Sequence, residues 1–167
     1  NAALARQAYA VMQLPWQPEV ISQALQQTRV TGRLDRRSLN WQGKSLTLLL
    51  DVGHNPHAAE YLAQRLASRA LSGKRLAVFG LLADKDLPGV VAPLLSEVDS
   101  WAVAALPTSR TRAASELQSH LQHSGAQVTA YASVQAALEA QCEQASDGDE
   151  VLLFGSFYCV AEALDWL

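Results

Sequence analysis

Five short strand-like runs recur along the chain from residue 47 onward, and their first residues lie roughly 25 to 29 positions apart. That spacing leaves room for one crossover helix between successive runs, which parallel strands need because each must start at the same edge of the sheet. The predicted strands cover residues 47–51, 76–80, 101–106, 126–131 and 151–155. The alternation therefore predicts an α/β fold built on a mostly parallel sheet.

The segments between these runs have the composition of helices. The predicted helices cover residues 56–69, 86–96, 112–122 and 133–144, and a last one covers residues 157–166. Crossover helices bury a parallel sheet on both sides. We therefore expect a Rossmann-like, mostly parallel sheet with helices on both faces.

The first 30 residues do not follow this alternation. Residues 2–13 are rich in alanine and other good helix formers, and a second helix is predicted for residues 18–27, with Pro18 in its first turn. After residue 33, polar and apolar residues alternate around the turn-like pair Gln42-Gly43, which predicts a two-stranded ribbon. We place a domain boundary near residues 30–33, so that residues 1–30 are a short helical remnant of a preceding domain.

Composition and charge narrow the class of protein. With 49% hydrophobic and 17% charged residues, the chain can form a packed core and does not resemble a disordered protein. A net charge of −3 gives no basic surface, so we expect neither nucleic acid nor a membrane as a partner. Two cysteines, Cys142 and Cys159, are too few for a disulfide scaffold and are interpreted as reduced core residues.

Targeting signals are also absent from the sequence pattern. No apolar run approaches the roughly 20 residues of a membrane-spanning helix, and residues 1–15 lack the pattern of a secretory signal. We expect a cytoplasmic protein and take a monomer as the default.

Polar residues follow the first and the last predicted strand, where parallel α/β sheets bind ligands. Asp51 and His54 precede Asn55 and Pro56, which suit the N-cap and the first position of a helix, so we expect a turn that exposes Asp51 and His54. The aspartate can accept hydrogen bonds from ribose hydroxyls or assist a metal, and the histidine can donate to a carboxylate or a phosphate. Ser156 follows the last strand at a helix N-terminus, which suits an anion.

Four other features carry weaker signals. Lys85 lies between two acidic residues, and the hydroxyl-rich loop 107–112 contains two cations that can hold an anion. The segment 43–45 mimics the end of a phosphate loop but lacks its first glycine and its strand-to-helix context. His120 and His123 have helical spacing, but no acidic residue or cysteine is placed to complete a metal site, so we assign no metal ligand.

The residue strings support a resemblance to a known family. The segment DVGHNPHAAEYLAQRL at 51–66, Gly32-Arg33 upstream of it, LLADKD at 81–86 and LLFGSFYCVAEAL at 152–164 resemble the C-terminal domain of the folylpolyglutamate synthase/dihydrofolate synthase family, part of the Mur ligase superfamily. The resemblance extends over essentially the whole chain. It implies that residues 1–30 are the last helices of an ATP-binding central domain and that residues 31–167 are a glutamate-binding domain.

The resemblance also implies a reaction. Enzymes of this family phosphorylate a carboxylate with ATP, and the amino group of L-glutamate then attacks the acyl phosphate, on dihydropteroate or on folate polyglutamates. By resemblance, Asn1, Arg33 and Asp51 contact the nucleotide, and His54 and Ser156 occupy positions associated with the incoming glutamate. The phosphate loop and the ligands of Mg²⁺ belong to N-terminal and central domains that this chain lacks. We therefore expect the chain alone to be inactive and the missing domains to be its partners.

Two alternatives stay open from the sequence. One is the C-terminal domain of another Mur-type ligase, which adds an amino acid to a cell-wall nucleotide precursor. The other is a stand-alone regulatory domain of the receiver type, with Asp51 as the phosphoacceptor and Lys85 as its partner, although receivers cluster several acidic residues at that position. The sequence does not distinguish a dihydropteroate substrate from a folate substrate, because the residues that select the pterin lie outside this chain.

Overall fold

The computed structural model describes residues 2–13 and 15–167, and the chain divides into two compact units between Val30 and Thr31. The N-terminal unit contains helices α1 (Ala2–Val11) and α2 (Pro18–Gln27), in agreement with the helices predicted there. The assignment of residues 1–30 to a preceding ATP-binding domain stays a prediction.

Packing in the N-terminal unit centres on Trp16. The Tyr9 ring meets the Trp16 ring edge-on at a centroid distance of 6.0 Å, and the guanidinium carbon of Arg6 lies 5.5 Å from the Trp16 ring centroid. The Tyr9 hydroxyl donates a hydrogen bond to the carbonyl of Pro15 at 2.8 Å. None of residues 3–13 and 15–30 is buried, so side-chain contacts, rather than a core, hold Trp16 against α1.

The C-terminal unit is built on one sheet in which all but one of the strand pairs are parallel. Its strands are β1 (Asp35–Trp41), β2 (Lys44–Asp51), β3 (Arg75–Phe79), β4 (Ser100–Ala104), β5 (Val128–Tyr131) and β6 (Glu150–Phe154). Their order in the sheet is β1-β2-β6-β3-β4-β5, and β1 pairs with β2 in the antiparallel direction. The predicted α/β fold with a mostly parallel sheet is confirmed.

The antiparallel pair is the predicted ribbon. Its connection is the two-residue turn Gln42-Gly43, and both residues have positive φ, at 50° and 83°. A turn with two left-handed residues matches the right-handed twist of the flanking strands, so it closes a tight hairpin. The register pairs Trp41 with Lys44 across the turn.

Helices cover both faces of the sheet, as predicted. They are α3 (Pro56–Ala67), α4 (Leu87–Val91), α5 (Ala114–His123), α6 (Val134–Gln144) and α7 (Phe157–Trp166). The apolar side chains of α3, α4 and α5 pack on one face, together with Leu49, Ala77 and Leu152 of the strands. Those of α6 and α7 pack on the other face, with Leu48 and Leu153.

The helix predicted for residues 86–96 is shorter in the structure. The α-helix ends at Val91, and a 3₁₀ turn follows over Ala92–Leu94. Pro93 has no amide hydrogen, so it cannot donate the next hydrogen bond of an α-helix. The run of apolar residues continued past this point and concealed the change.

Strand β6 lies between β2 and β3 and every one of its residues is buried. On one face, the Phe154 ring stacks on the Phe79 ring of β3 at a centroid distance of 4.7 Å, and Trp101 meets both rings edge-on. At its first residue, the Glu150 carboxylate is fully buried and accepts hydrogen bonds from Arg75, at 2.9 Å, and Arg69. A buried carboxylate needs such partners because its desolvation is costly.

Among the described residues, no helix has the length and apolarity needed to cross a membrane.

Gly155 is the first residue after β6, and its position leaves no room for a side chain. Its φ is +104°, and a Cβ atom built on it would lie 2.4 Å from the carbonyl oxygen of Gly80, which follows β3. Glycine alone adopts such a φ without strain. The loops after β6 and β3 can therefore approach each other closely.

We expect Gly155→Ala to destabilise the fold by about 3 kcal/mol or more, because backbone strain and overpacking act together. Gly125→Ala is the matched control, since Gly125 also has a positive φ, +83°, but open space around it. Its cost is only the strain of the left-handed backbone, about 1–2 kcal/mol. Urea unfolding of both variants tests the difference, and equal losses of stability would contradict the close approach.

The two cysteines are buried and free, as predicted. Burial raises the pKa of Cys142 to about 11 and the pKa of Cys159 to about 12. Because both values are raised, any contribution to stability is fully present below the pKa of an unfolded thiol, about 8.5, and is lost as the pH rises through 11 to 12.

We therefore expect neither thiol to react with a disulfide reagent at about pH 8 in the folded chain, because the thiolate is scarce and inaccessible. Both should react when the chain is unfolded in guanidinium chloride. Absorbance of the released thiol measures the reaction, with free cysteine in each buffer as the control. Rapid modification of the folded chain would contradict the burial of these side chains.

Candidate functional site

The carboxyl ends of β2 and β6 lie side by side, because Asp51 pairs in register with Phe154. From β2 the chain passes to α3 on one face of the sheet, whereas from β6 it passes to α7 on the other face. Adjacent strands whose following helices diverge leave a crevice, and ligands of open α/β sheets bind there. We call this place the β2–β6 crevice and define it by residues 31–34, 52–55 and 155–158.

Asp51 holds two parts of the crevice together. Its Oδ1 accepts a hydrogen bond from the amide of Gly53 at 2.7 Å, and its Oδ2 accepts one from the amide of Leu34 at 3.0 Å. The expectation that the turn exposes Asp51 is wrong, because the residue is only 8% exposed. The two amides come from different segments, and their hydrogen bonds to the carboxylate draw both segments over it.

The segment before β1 packs tightly against the crevice at Gly32. The amide of Val52 donates to the carbonyl of Gly32 at 2.8 Å. A Cβ atom on Gly32 would lie 2.9 Å from Val52 Cγ1 and 3.2 Å from Val160 Cγ1, and φ is +70°. Only glycine fits between this loop and α7 in that conformation. The next residue, Arg33, is thereby placed at the mouth of the crevice.

Arg33 is exposed, and its guanidinium carbon lies 5.6 Å from the centroid of the Phe157 ring. This distance is within the range of cation–π attraction. The guanidinium presents its N–H donors to solvent beside the crevice, which is the chemistry that binds a phosphate or a carboxylate.

His54 is half-buried and held by its own loop. Its Nδ1 lies 2.9 Å from the carbonyl oxygen of Val52. A carbonyl oxygen only accepts hydrogen bonds, so Nδ1 carries the hydrogen and Nε2 is left to face a ligand. The centroid of the imidazole ring lies 6.3 Å from the centroid of the Phe157 ring.

Two helix N-termini border the crevice. Asn55 caps α3 by accepting a hydrogen bond from the amide of Ala58 at 3.0 Å, as its sequence position predicted. Ser156 caps α7 by accepting one from the amide of Tyr158 at 3.2 Å, and it is buried. Its hydroxyl hydrogen is not used in that bond and can be donated to a ligand. Helix N-termini favour negative charge.

The structure thus brings Arg33, Asp51, His54 and Ser156 together at one crevice. Asn1, which the family resemblance places on the nucleotide, lies outside the described residues. Phe157 is a member of the site that the sequence reasoning did not assign. The sequence signal that could have indicated it is a large aromatic residue at the first position of a predicted helix, a position that does not usually face the core.

Lys85 and the loop 107–112 form a separate cluster after β3 and β4. Lys85 Nζ lies 3.0 Å from Asp84 Oδ2, and Arg110 also pairs with Asp84, at 3.1 Å. Hydrogen bonds from Lys85 and Arg110 hold the pKa of Asp84 below its usual range. Arg112 donates to the carbonyls of Ala83 and Lys85 at 2.7 and 2.8 Å. These contacts join the two loops, and anion binding there stays a prediction.

An open cleft of about 470 Å³ borders this cluster, and His120 and His123 line it together with Lys85 and Arg112. His123 Nδ1 lies 2.6 Å from the carbonyl of Ser119, one turn earlier in α5. In the part of the chain that the structure describes, no group of three or more His, Cys, Asp or Glu side chains could hold a metal ion.

Comparison with known proteins identifies relatives over nearly the whole chain. The family described as Mur ligase, glutamate ligase domain, matches residues 32–157. Dihydrofolate synthase/folylpolyglutamate synthase of Escherichia coli (strain K12) is 36% identical over 165 residues, which are 99% of this chain and 37% of that protein.

Solved structures give the same result. FolC of E. coli in complex with DHPP and ADP has a TM-score of 0.84 at 35% identity and covers 99% of this chain and 38% of its own. A bifunctional folylpolyglutamate synthase/dihydrofolate synthase with Mn, AMPPNP and L-glutamate bound has a TM-score of 0.83 at 37% identity and covers 98% and 37%. The chain therefore spans well under half the length of these relatives.

We expect Asp51→Asn to destabilise the chain by about 1–3 kcal/mol, because an amide has one acceptor oxygen and leaves the amide of Leu34 or Gly53 unpaired. Asp165→Asn is the control, since Asp165 is an exposed acidic residue of α7. Urea unfolding of both variants measures the effect. Equal stability of the two variants would show that the hydrogen bonds of Asp51 do not hold the crevice together.

Proposed function

The chain belongs to the family of Mur ligase glutamate ligase domains, and on that premise we propose that it is the C-terminal part of an ATP-dependent ligase. The proposed enzyme adds L-glutamate to dihydropteroate, to folate polyglutamates or to both, through an acyl phosphate. Identity of 36% to dihydrofolate synthase/folylpolyglutamate synthase of E. coli over 99% of the chain supports the folate branch of the superfamily.

The observation that carries the proposal is the convergence of anion-binding groups on the β2–β6 crevice. An exposed guanidinium from Arg33, the Nε2 atom of His54, the hydroxyl of Ser156 and two helix N-termini all border it. Both reaction partners are anions, since glutamate carries carboxylates and ATP carries phosphates. Donors positioned before the reaction stabilise charge that develops in transfer more effectively than water does.

We assign the glutamate to His54 and Ser156. The hydrogen bond between Nδ1 of His54 and the carbonyl of Val52 orients Nε2 outward, where a protonated ring donates to a carboxylate. The hydroxyl of Ser156 supplies a second donor from the other side of the crevice. Holding the carboxylates leaves the amino group free to attack the acyl phosphate, and fixed orientation lowers the entropic part of that barrier.

We assign the nucleotide to Arg33 and Asp51, with Asn1 as a third contact. Arg33 offers a fork of N–H donors that suits phosphate oxygens. Both oxygens of Asp51 already hold backbone amides, so its effect on the nucleotide includes the placement of the neighbouring Arg33. Mg²⁺, when bound, neutralises phosphate charge in such reactions. Its ligands and the phosphate loop are proposed to lie in domains that this chain lacks.

The two parts of the chain are assigned to two domains of the proposed enzyme. Residues 1–30 are taken as the end of the ATP-binding central domain, and residues 31–167 as the glutamate-binding domain. Closure of the two domains around the substrates would bring ATP to the crevice. The proposed enzyme is cytoplasmic, and a monomer is the default for its oligomeric state.

The two alternative functions are not favoured. A receiver domain accepts a phosphoryl group on an exposed aspartate of its own. Asp51 is instead buried, and both of its carboxylate oxygens accept backbone hydrogen bonds. The relatives at 33–36% identity carry folate-ligase names, which favours a folate ligase over a ligase for a cell-wall precursor.

The first test uses the polypeptide at the length at which its source cells make it. We expect ADP release only when ATP, L-glutamate and a pteroate or folate substrate are all present, and none from the 167-residue chain alone. A coupled assay for ADP measures both. Glutamate-independent turnover, or turnover by the short chain alone, would contradict the proposal.

In that longer polypeptide, we expect Arg33→Ala to raise KM for ATP and His54→Ala to raise KM for glutamate. Each increase should be about 10- to 100-fold, because each variant loses a charge-assisted hydrogen bond to its substrate. Arg65→Ala and His57→Ala are the controls, because both residues are exposed on α3 and, among the described residues, neither side chain forms a hydrogen bond or ion pair with a crevice residue. Steady-state kinetics with each substrate varied in turn separates the two effects. Unchanged constants for both site variants would overturn the residue assignments.

A further inference from the structure

Phe157 has an unusual position for a large aromatic residue. It is the first residue of α7 and is 59% exposed, so burial does not explain its placement. Two site residues from different segments nevertheless lie against its ring. The guanidinium carbon of Arg33 is 5.6 Å from the ring centroid, and the His54 ring is 6.3 Å away with an interplanar angle of 52°.

We propose that Phe157 is a positioning residue that holds Arg33 and His54 in a fixed relation to each other. The inference rests on the proposed function, in which Arg33 binds the nucleotide and His54 binds the glutamate. The ring would then set the spacing between the groups that hold the two substrates. It touches neither reacting atom, so its effect is exerted through its neighbours.

The Phe157 ring is what restrains the Arg33 side chain. Within the described residues, its guanidinium has no ion pair or hydrogen bond, and the cation–π contact with Phe157 is its side-chain interaction. A long, exposed arginine side chain otherwise samples many rotamers. The negative face of an aromatic ring attracts the guanidinium and narrows that range.

The His54 ring is restrained from two directions. Nδ1 donates a hydrogen bond to the carbonyl of Val52. The Phe157 ring lies against the imidazole and limits the rotation of the imidazole that this hydrogen bond still allows. Phe157 also follows Ser156, the N-cap of α7, so the two residues are placed by the same helix end. One rigid element thus orients the donors on both sides of the crevice.

Substitutions at Phe157 should therefore affect both substrates, unlike those at Arg33 or His54. In the full-length polypeptide, we expect Phe157→Ala to raise KM for ATP and for glutamate together, each about two- to fivefold, as expected for an exposed cation–π contact. Phe157→Leu keeps an apolar side chain without an aromatic face and should resemble the alanine variant. Phe157→Trp keeps the aromatic face and should restore both constants.

Tyr61→Ala is the matched control. Tyr61 is 53% exposed, on α3, and within the described residues it has no aromatic or cationic partner. Its removal should leave both constants unchanged. Thermal unfolding of every variant checks that the fold is retained. We expect it to be retained, because the rings of Phe157 and Tyr61 are both exposed.

Nuclear magnetic resonance of the 167-residue chain supplies a second readout. The ring of Phe157 should shift the ring-proton resonances of His54, and this shift should disappear in Phe157→Leu and persist in Phe157→Trp. If both Phe157→Ala and Phe157→Leu behave like Tyr61→Ala while the wild type turns over, the positioning role is overturned and the proposed function stands. If the wild type shows no glutamate-dependent ADP release, the proposed function fails, and the positioning role fails with it.

Discussion

Strand β6 determines how the sheet and the crevice are built. This strand is the last in the chain, yet it lies between β2 and β3 and is buried along its whole length. Backbone hydrogen bonds join it to both neighbours, and the buried Glu150 joins its first residue to Arg75 of β3 and to Arg69 after α3. Without β6, the two apolar layers of the core would lack their central strand. The crevice exists because β6 delivers Ser156 and Phe157 beside the end of β2.

Within that frame, the order of the crevice depends on backbone contacts more than on side-chain pairs. Asp51 accepts from the amides of Leu34 and Gly53, and Gly32 accepts from Val52. These bonds join the segment before β1 to the loop after β2. The groups that face a ligand are therefore carried by segments whose backbones are already fixed to each other. Such preorganisation lowers the cost of placing donors around an anion.

Most of the fold could be predicted from the sequence, and the site only in part. Apolar runs and the capping pair Asn55-Pro56 are local signals, so α3 and four of the five predicted strands lie within two residues of their observed ends. The remaining strand, β2, begins at Lys44, three residues before its predicted start. The place of β6 in the sheet was not predicted, because strand order depends on contacts between distant residues. The burial of Asp51 was missed for the same reason, since its partner Leu34 is 17 residues away. Phe157 was not assigned because its neighbours come from two other segments.

The central place of the last strand also has a consequence for synthesis. On the ribosome, β3 is complete at Phe79, whereas the strand that must lie beside it begins only at Glu150. At 5–20 residues per second, this interval lasts roughly 4 to 14 seconds. Throughout that time β2 and β3 have unpaired edges, and such edges pair readily with other chains. The nascent domain therefore needs protection from aggregation until its final strand leaves the exit tunnel, and a ribosome that stalls before residue 150 leaves an incomplete sheet.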